Sequence, residues 1–495
     1  MSTDMMVPNR VKSWFFFLAV MAILPLLSLP VQAYEFPANT IIETGFIQDT
    51  ASETILPDNL FDLEESSTQK PADSPLSLSG YVQTRGAMDT VDNSGMEHNT
   101  AFRNKTHVEA KYKKLITVSA LSDFLYFGDD NFQKDYDLDI HEAYITLPVN
   151  KMTITLGKKI LRWGKTDQLS PVDTLNPEDF REFIVLDYED RKIPVWMANL
   201  QVKFEKFSLE GVYMPKFEPA RQDYFGTDWS VFSHIKQEIR ASSLPDQLKN
   251  YVNGININET DPDDSGFNGE FAIRARTSLN GWDLGATYHY AWEDLPFYSN
   301  FPIKNFATDG SMDGESMIFD LADARDENIE ISYPRVHIAG LEFETTLGNF
   351  GIRGEAAWQD QQSFLTSSLT SKQSPTLFYI LGADYSGVDW YVNLQLSHNH
   401  IFDHDDSFLY FKKDTVSLLG EINRNLFSQW LEASLHYSIT LNNDHEYYLS
   451  PRLTYTSITN LDLTFGAHIF EGDSTSFIGR FNRNDQLFLD VTYHF

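Results

Sequence analysis

The chain closes on Gln486-Leu-Phe-Leu-Asp-Val-Thr-Tyr-His-Phe495, a stretch in which apolar and polar residues alternate. Alternation with a period of two puts successive side chains on opposite faces and predicts a β-strand. The apolar face carries Leu487, Leu489, Val491, Tyr493 and Phe495, and the opposite face carries Phe488, Asp490, Thr492 and His494. The stretch therefore predicts a terminal strand with one face in an apolar environment.

The same alternation recurs upstream. Clear examples are the stretches 282–292, 390–397, 431–440 and 461–469. Aromatic residues make up 14% of the chain, which fits membrane barrels with aromatic girdles at both interfaces. The strands of a soluble antiparallel sandwich would show the same alternation. The lengths of the connections between strands are therefore needed to distinguish a sandwich from a membrane barrel.

The connections are short at one end of the predicted strands and long at the other. Longer polar connections are predicted at 165–192, 219–266 and 297–327. Short turns are predicted at 113–114, 150–151, 205–206, 280–281, 348–349, 387–388, 428–429 and 459–460. This asymmetry is typical of outer-membrane barrels, whose periplasmic turns are short. We predict an all-β protein, a transmembrane antiparallel up-and-down β-barrel of about 18 strands.

The two ends of the chain agree with this localisation. Arg10 and Lys12 precede an apolar run, 14–29, and Val31-Gln-Ala33, so residues 1–33 are predicted to be a signal peptide. An uncleaved anchor helix is the alternative. Residues 34–75 are acidic and predict a disordered periplasmic tail or linker, and the barrel is assigned to 76–495. The aromatic end of the last strand resembles the signal read by the outer-membrane assembly machinery of Gram-negative bacteria.

Charge and cysteine content exclude several classes of function. The 71 Asp and Glu outnumber the 38 Lys and Arg, for a formal net charge of -33, so nucleic acid is not a predicted partner. The chain has no Cys, which excludes thiolate metal sites and cysteine nucleophiles. No cofactor or metal ligand set is predicted. The expected surroundings are outer-membrane lipid and lipopolysaccharide.

The faces opposite the apolar ones are expected to line the lumen. They carry both charge signs, which creates a transverse field suited to polar or charged solutes. The predicted pore-lining residues are Arg85, Arg103, Lys105, Glu109, Glu142, Arg274, Arg276, Glu342, Arg353, Glu355 and Arg452. The alternative is that these charges pair with one another and fill the interior.

One long connection has helical spacing. Apolar residues in 228–255 recur with the period of a helix. We expect a long helical exterior loop that folds into or over the mouth of the barrel.

A motif lies just after a predicted strand. Leu156-Gly-Lys-Lys-Ile-Leu-Arg-Trp-Gly-Lys-Thr-Asp167 is followed by Asn176-Pro-Glu-Asp-Phe-Arg-Glu182. The pair resembles a family of uncharacterised Gram-negative outer-membrane β-barrel proteins with the pattern L-G-R-Q-x-x-x-W-G-x-x-D and then N-P-x-D-x-R-E, and 212–221 resembles a second stretch of that family. The best-marked positions are Arg162, Trp163, Asp173, Asn176, Pro177, Asp179 and Arg181.

The resemblance implies a function as well as a fold. It implies transport of hydrophobic or aromatic compounds and coupling to an RND-type inner-membrane exporter. The pattern is also distantly similar to alginate-export barrels, although their strongly basic pore differs from the mixed wall predicted here. For the motif itself, a folded-in loop that anchors the barrel and a substrate site both remain open.

We predict that the protein is not an enzyme but an outer-membrane channel for small or hydrophobic and aromatic solutes. Two alternatives come from other classes. One is an outer-membrane enzyme, for which His398, His400, His404 and Asp405 would cluster near one exterior end. The other is a structural or adhesive surface barrel.

Overall fold

A computed structural model describes most of the chain beyond the predicted tail. It covers residues 75–90, 100–113, 115–128, 133–225, 227–232, 254–263, 268–300, 328–442 and 446–495. The predicted signal peptide, nearly all of the predicted tail and most of the predicted helical segment lie outside the described residues.

The described residues form one closed antiparallel sheet of eighteen strands and one small three-stranded sheet. The strands, in chain order, are β1 (Leu76–Asp89), β2 (Thr100–Tyr112), β3 (Ile116–Gly128), β4 (Gln133–Val149), β5 (Met152–Lys159), β6 (Val195–Lys203), β7 (Phe207–Met214), β8 (Asn256–Thr260), β9 (Glu270–Leu279), β10 (Trp282–Trp292), β11 (Phe297–Asn300), β12 (Asn328–Ser332), β13 (Arg335–Leu347), β14 (Phe350–Leu365), β15 (Ser371–Ser386), β16 (Trp390–Ile401), β17 (Asp414–Leu426), β18 (Leu431–Thr440), β19 (Tyr447–Ile458), β20 (Leu461–Glu471) and β21 (Gln486–His494). β8, β11 and β12 make the small sheet, and the others make the barrel. The prediction of an antiparallel barrel of about 18 strands is confirmed.

Each barrel strand pairs with the next along the chain, and β1 pairs with β21 to close the cylinder. At one end the strands meet at short turns, such as Asn280-Gly281, where both residues have positive φ (52° and 82°). Asn and Gly tolerate this conformation, and it matches the twist of two-residue hairpins. The connections at the opposite end are longer, as the sequence predicts. Both the start of β1 and the end of β21 lie at the short-turn end.

The outward face of the barrel is apolar. Large apolar side chains on it remain well exposed, including Leu341 (64%), Leu381 (54%) and Trp358 (42%). The inner face carries buried polar residues, such as Gln395 and Ser450. This is the reverse of a soluble protein and the arrangement of a barrel whose outside meets lipid. Within the described residues, no helix combines the length and apolar character needed to cross a membrane.

Two glycines on β1, Gly80 and Gly86, differ in how closely other atoms pack against them near the closure of the barrel. Gly80 exchanges backbone hydrogen bonds with the terminal Phe495, at 2.9 and 3.0 Å. A Cβ on Gly80 would lie 2.2 Å from the His107 carbonyl oxygen and 2.8 Å from the Phe495 ring, whereas a Cβ on Gly86 would meet nothing within 4 Å. Gly80 therefore permits the close approach of three strands at the seam.

Gly80→Val is expected to weaken the closed barrel by about 1–3 kcal/mol, the usual cost of overpacking. The measurement is the midpoint of urea unfolding in detergent micelles, together with the folded fraction on unheated gels. Gly86→Val is the matched control, and it should leave the midpoint unchanged or raise it slightly, since β-branched residues suit a strand. Equal behaviour of the two variants would refute a packing role for Gly80.

Candidate functional site

The connection between β5 and β6 fills much of the barrel interior. Lys159 and Val195 are direct cross-strand partners, so a short turn would suffice to join them. Instead, residues 160–194, here called the inward loop, fold into the lumen. Its motif residues are buried: Trp163 is 1% exposed, Asn176 2% and Asp173 5%. The inward loop therefore determines how much of the lumen is open.

Polar motif side chains hold the base of the inward loop. The Asn176 amide donates to the carbonyls of Lys159 (3.1 Å) and Ile193 (2.9 Å), and its oxygen accepts from the Leu161 N–H (2.8 Å). The Trp163 N–H donates to Asp173 at 3.0 Å. One asparagine thus joins both stems of the loop. Pro177 is buried beside it, and its carbonyl accepts the Ile193 N–H at 2.8 Å.

The Trp163 side chain anchors the inward loop to the wall formed by β6, β7 and β9. Its indole N–H donates to Glu210 at 3.1 Å. The ring packs in a buried cluster that includes Leu175, Met197, Val212 and Ala272. Gly164, the next residue, has φ +102°, a conformation that favours glycine. This explains the Trp-Gly pair of the motif.

The carboxylate of Glu355, on β14, binds the turn that follows Trp163. It accepts from the backbone N–H groups of Lys165, Thr166 (2.6 Å) and Val172 (3.4 Å), and from the hydroxyls of Thr166 (2.9 Å) and Ser170 (2.6 Å). Glu355 is 4% exposed. A buried anion with several donors is a strong attachment point.

The opposite side of the inward loop meets β2 and β3 through charges. Arg103 donates to Asp123 (Nε to Oδ1, 2.9 Å) and to Glu182. Arg181 binds Asp179 at 2.7 Å and lies 3.6 Å from Asp123. Burial opposes ionisation of Asp179, but Arg181 and Arg103 outweigh it and lower the pKa of Asp179 to about 2. Because this folded pKa lies below the unfolded value, the stabilisation is present above about pH 4 and is lost only as the pH falls towards 2.

A last attachment reaches β19. Arg452 makes two hydrogen bonds to the Asp187 carboxylate, at 2.9 and 3.1 Å. Beside it, Phe183 packs into a buried aromatic cluster with Trp229, Phe470 and Phe481. The inward loop is therefore tied to strands around the whole circumference of the barrel.

The predicted pore-lining residues lie on the inner face, and most of them are paired. Arg85 binds Asp490 at 2.7 Å, Glu109 binds Lys111 at 2.8 Å, and Arg274 binds Glu342. Glu142 accepts the Ile160 N–H at 2.9 Å, and Lys105 is buried. Arg276 is partly buried on the same face of β9. Arg103, Glu355 and Arg452 hold the inward loop, as described above. Arg353 binds Asp384 and Asp167, the latter at 3.0 Å.

The other motif positions also serve the loop. Arg162 binds Glu189 at 2.6 Å, and its guanidinium lies 5.0 Å from the centre of the Tyr188 ring. Tyr188 belongs to a short helix, α1 (Tyr188–Arg191), and donates to Asp173 at 2.8 Å. Geometry favours the anchoring role of the motif over a role as a substrate site.

A cavity remains between the inward loop and the wall formed by β14 to β19. Its volume is about 870 Å³, and we call it the side cavity. It extends from Ser386 and Tyr391, beside the short turn between β15 and β16, to Tyr410 and Phe477 in connections at the opposite end. Arg353 and Arg452 are the predicted pore-lining residues that border it. Several other lining residues, such as Tyr391 and Ser397, belong to faces that the sequence predicted to line the lumen, although they were not singled out as pore-lining residues.

Residues 78–428 match a protein family described as "protein of unknown function", DUF1302. The protein belongs to this family. A search of curated proteins finds no match.

Solved outer-membrane proteins resemble this DUF1302 member distantly. OccAB4 of Acinetobacter baumannii is 12% identical, with a TM-score of 0.46 over 85% of this chain and 98% of that one. OmpF of Salmonella typhi, in complex with daunomycin, is 12% identical, with a TM-score of 0.36 over 85% and 97%. A triple mutant of the Rhodopseudomonas blastica porin is 11% identical, with a TM-score of 0.36 over 85% and 100%.

Proposed function

We propose that this DUF1302 protein is an outer-membrane channel and that solutes pass through the side cavity. One observation carries the proposal. The side cavity runs from the short-turn end to the long-connection end of a closed barrel with an apolar outer surface. An interior cavity bordered by residues from both ends of the barrel favours a channel over an enzyme or an adhesive scaffold.

The residues that line the side cavity support a proposal for the chemical class of the solute. Aromatic rings border it along its length, and charges of both signs lie among them. The aromatic residues are Tyr188, Phe378, Tyr391, Tyr410, Phe411, Tyr437, Tyr448 and Phe477. The charged ones include Arg353, Asp384, Glu421 and Arg452. We propose small solutes that combine a hydrophobic or aromatic part with a polar or charged group. About 870 Å³ falls within the range of small-molecule sites, roughly 300–1,000 Å³.

Coupling to an RND-type inner-membrane exporter is a separate proposal. It rests on the family resemblance, and no feature of the described residues bears on it. Cross-linking in cell envelopes, followed by identification of the linked protein, tests it independently of conduction.

The absence of cysteine from the chain allows a sharp test of the conduction path. Ser417 on β17 borders the side cavity. Ser417→Cys, reconstituted in planar bilayers, is expected to lose most of its current after reaction with a cationic methanethiosulfonate, because the added group occupies the passage. The control is Ser119→Cys, on the inner wall at β3, 1% exposed and away from the side cavity. Its current should not change.

Mass spectrometry of the treated protein shows whether the introduced cysteine has reacted. A labelled Ser417→Cys channel with unchanged current would refute the side cavity as the path, and a folded wild-type barrel without any conductance would refute the channel. For the solute class, benzoate should interrupt the current, and acetate, the matched control, should not. Equal effects of the two anions would overturn the aromatic preference.

A further inference from the structure

Two histidines and an aspartate lie together on the outward face at the long-connection end. His398 and His400 are two residues apart on β16, on the same face as the exposed Leu396 (45%). Asp414 begins β17 and is the direct cross-strand partner of His400. Strand geometry therefore places all three side chains on one patch of the surface. The patch is on the opposite side of the wall from the side cavity and plays no part in the proposed conduction.

The three side chains present their ligand atoms to one another. His398 Nε2 is 2.9 Å and His400 Nδ1 is 2.7 Å from the same oxygen, Asp414 Oδ1. One ligand atom from each residue lies within 4.8 Å of the others. Ligands about 2.1 Å from a tetrahedral zinc ion are roughly 3.4 Å apart, so small side-chain rotations would admit an ion.

The second nitrogen of His398 already has a partner. Its Nδ1 lies 2.7 Å from the hydroxyl of Tyr379 on β15. Metal-binding histidines usually use their other ring nitrogen in a hydrogen bond that fixes the orientation of the ring. Tyr379 holds Nε2 towards Asp414 in this way. We propose that His398, His400 and Asp414 form a transition-metal site for Zn²⁺ on the outer surface of the barrel.

The donor set determines the chemical class of the ion. Two imidazole nitrogens and one carboxylate suit zinc, whereas Ca²⁺ and Mg²⁺ prefer sets made of oxygen. Three protein ligands leave a coordination position for water or for another ligand, since zinc takes four. The side chains are partly exposed, at 24%, 27% and 44%, so the ion would be reached from outside.

The sequence grouped His398 and His400 with His404 and Asp405, but both histidines form a hydrogen bond with Asp414. His404 instead contacts the Phe411 carbonyl through Nε2, at 3.1 Å, and Asp405 binds Lys372. Asp414 lies 14 positions after His400, beyond the connection between the strands, and the pairing of β16 with β17 brings it to the histidines. The register of β16 with β17 cannot be predicted from the spacing of these residues in the sequence.

Titration calorimetry of the chelator-treated, detergent-solubilised protein tests the site. We expect one Zn²⁺ per chain, no comparable binding of Ca²⁺, and at least about a tenfold loss of affinity in His400→Ala and Asp414→Asn. Tyr379→Phe should weaken binding less than either. The matched control is His337→Ala: His337 also lies on the outward face and has Nδ1 2.8 Å from a tyrosine hydroxyl, that of Tyr288.

X-ray absorption on the zinc-loaded protein adds a structural readout, and we expect two imidazole ligands at about 2.0 Å. The inference is overturned if wild-type protein shows no saturable zinc binding, or if the variants bind zinc as tightly as wild type. Loss of affinity in His337→Ala equal to that in His400→Ala would also overturn it. Unheated gels confirm that each variant keeps a folded barrel.

Discussion

Replacement of residues 161–193 by a short Gly-Ser turn is expected to raise the single-channel conductance at least about threefold, because barrels of 16–18 strands enclose a wide aqueous channel when nothing fills them. In the proposed channel, the inward loop leaves the side cavity as the path. The sheet can accommodate the change, since Lys159 and Val195 are already direct cross-strand partners. Residues such as Arg103 and Glu355, which the loop covers, would face water in the widened lumen, so their charges would be solvated.

The measurement is the conductance of single channels in planar bilayers at high salt. A matched control places the same linker at residues 387–389, the turn between β15 and β16, where Val388 is 93% exposed. That variant should conduct like wild type. A folded loop-replacement barrel with wild-type conductance would show that the inward loop does not restrict the path. If the replacement variant fails to assemble, release of the loop in the full-length chain, described below, tests the same point.

The barrel was predictable because its signals are local. Alternation along 431–440 or 461–469 is complete within one strand, and turns such as Asn280-Gly281 are two residues long. Closure is also implied by a final strand with a lipid-facing side, which would otherwise have a bare edge. For the motif, the sequence left a folded-in loop and a substrate site open, and the structure places the segment in the lumen with its motif residues buried.

The site was harder to predict because its contacts join distant parts of the chain. Asp187 and Arg452 are 265 positions apart, and no spacing rule connects them. From the sequence, charged residues on the inner faces of the strands were predicted to line the pore. In a crowded interior, however, a buried charge needs an opposite charge next to it. Arg85 meets Asp490 and Arg274 meets Glu342 for that reason. Uncharged residues such as Ser397 and Asn399 remain to border the side cavity.

The helical loop expected in 228–255 is only partly covered by the described residues. Trp229 and Phe232 are buried, at 4% and 1% exposure, in turn conformations. Both side chains pack in the interior aromatic clusters. The rest of the segment, 233–253, lies outside the described residues, so the helical loop stays a prediction.

Glu355→Leu is expected to release the inward loop from β14 and to raise its cleavage by trypsin about a hundredfold. The carboxylate is the acceptor for three backbone N–H groups, those of Lys165, Thr166 and Val172. A buried donor left without an acceptor costs about 1–3 kcal/mol, so a loss of roughly 3 kcal/mol or more is expected in the local opening equilibrium. Arg162, Lys165 and Arg181 supply trypsin sites within the loop.

Two further variants make the result specific to the carboxylate. Glu355→Gln keeps one accepting oxygen and should be cleaved at an intermediate rate. Glu344→Leu removes a partly exposed ion pair with Lys165, 2.9 Å long, and should change the rate little, because such pairs contribute only about 0–1 kcal/mol. Cleavage of Glu355→Leu at the wild-type rate would mean that the other attachments, Trp163 with Glu210 and Arg452 with Asp187, hold the loop without β14. A released loop should also produce larger fluctuations in the open-channel current, since it borders the side cavity that we propose as the path.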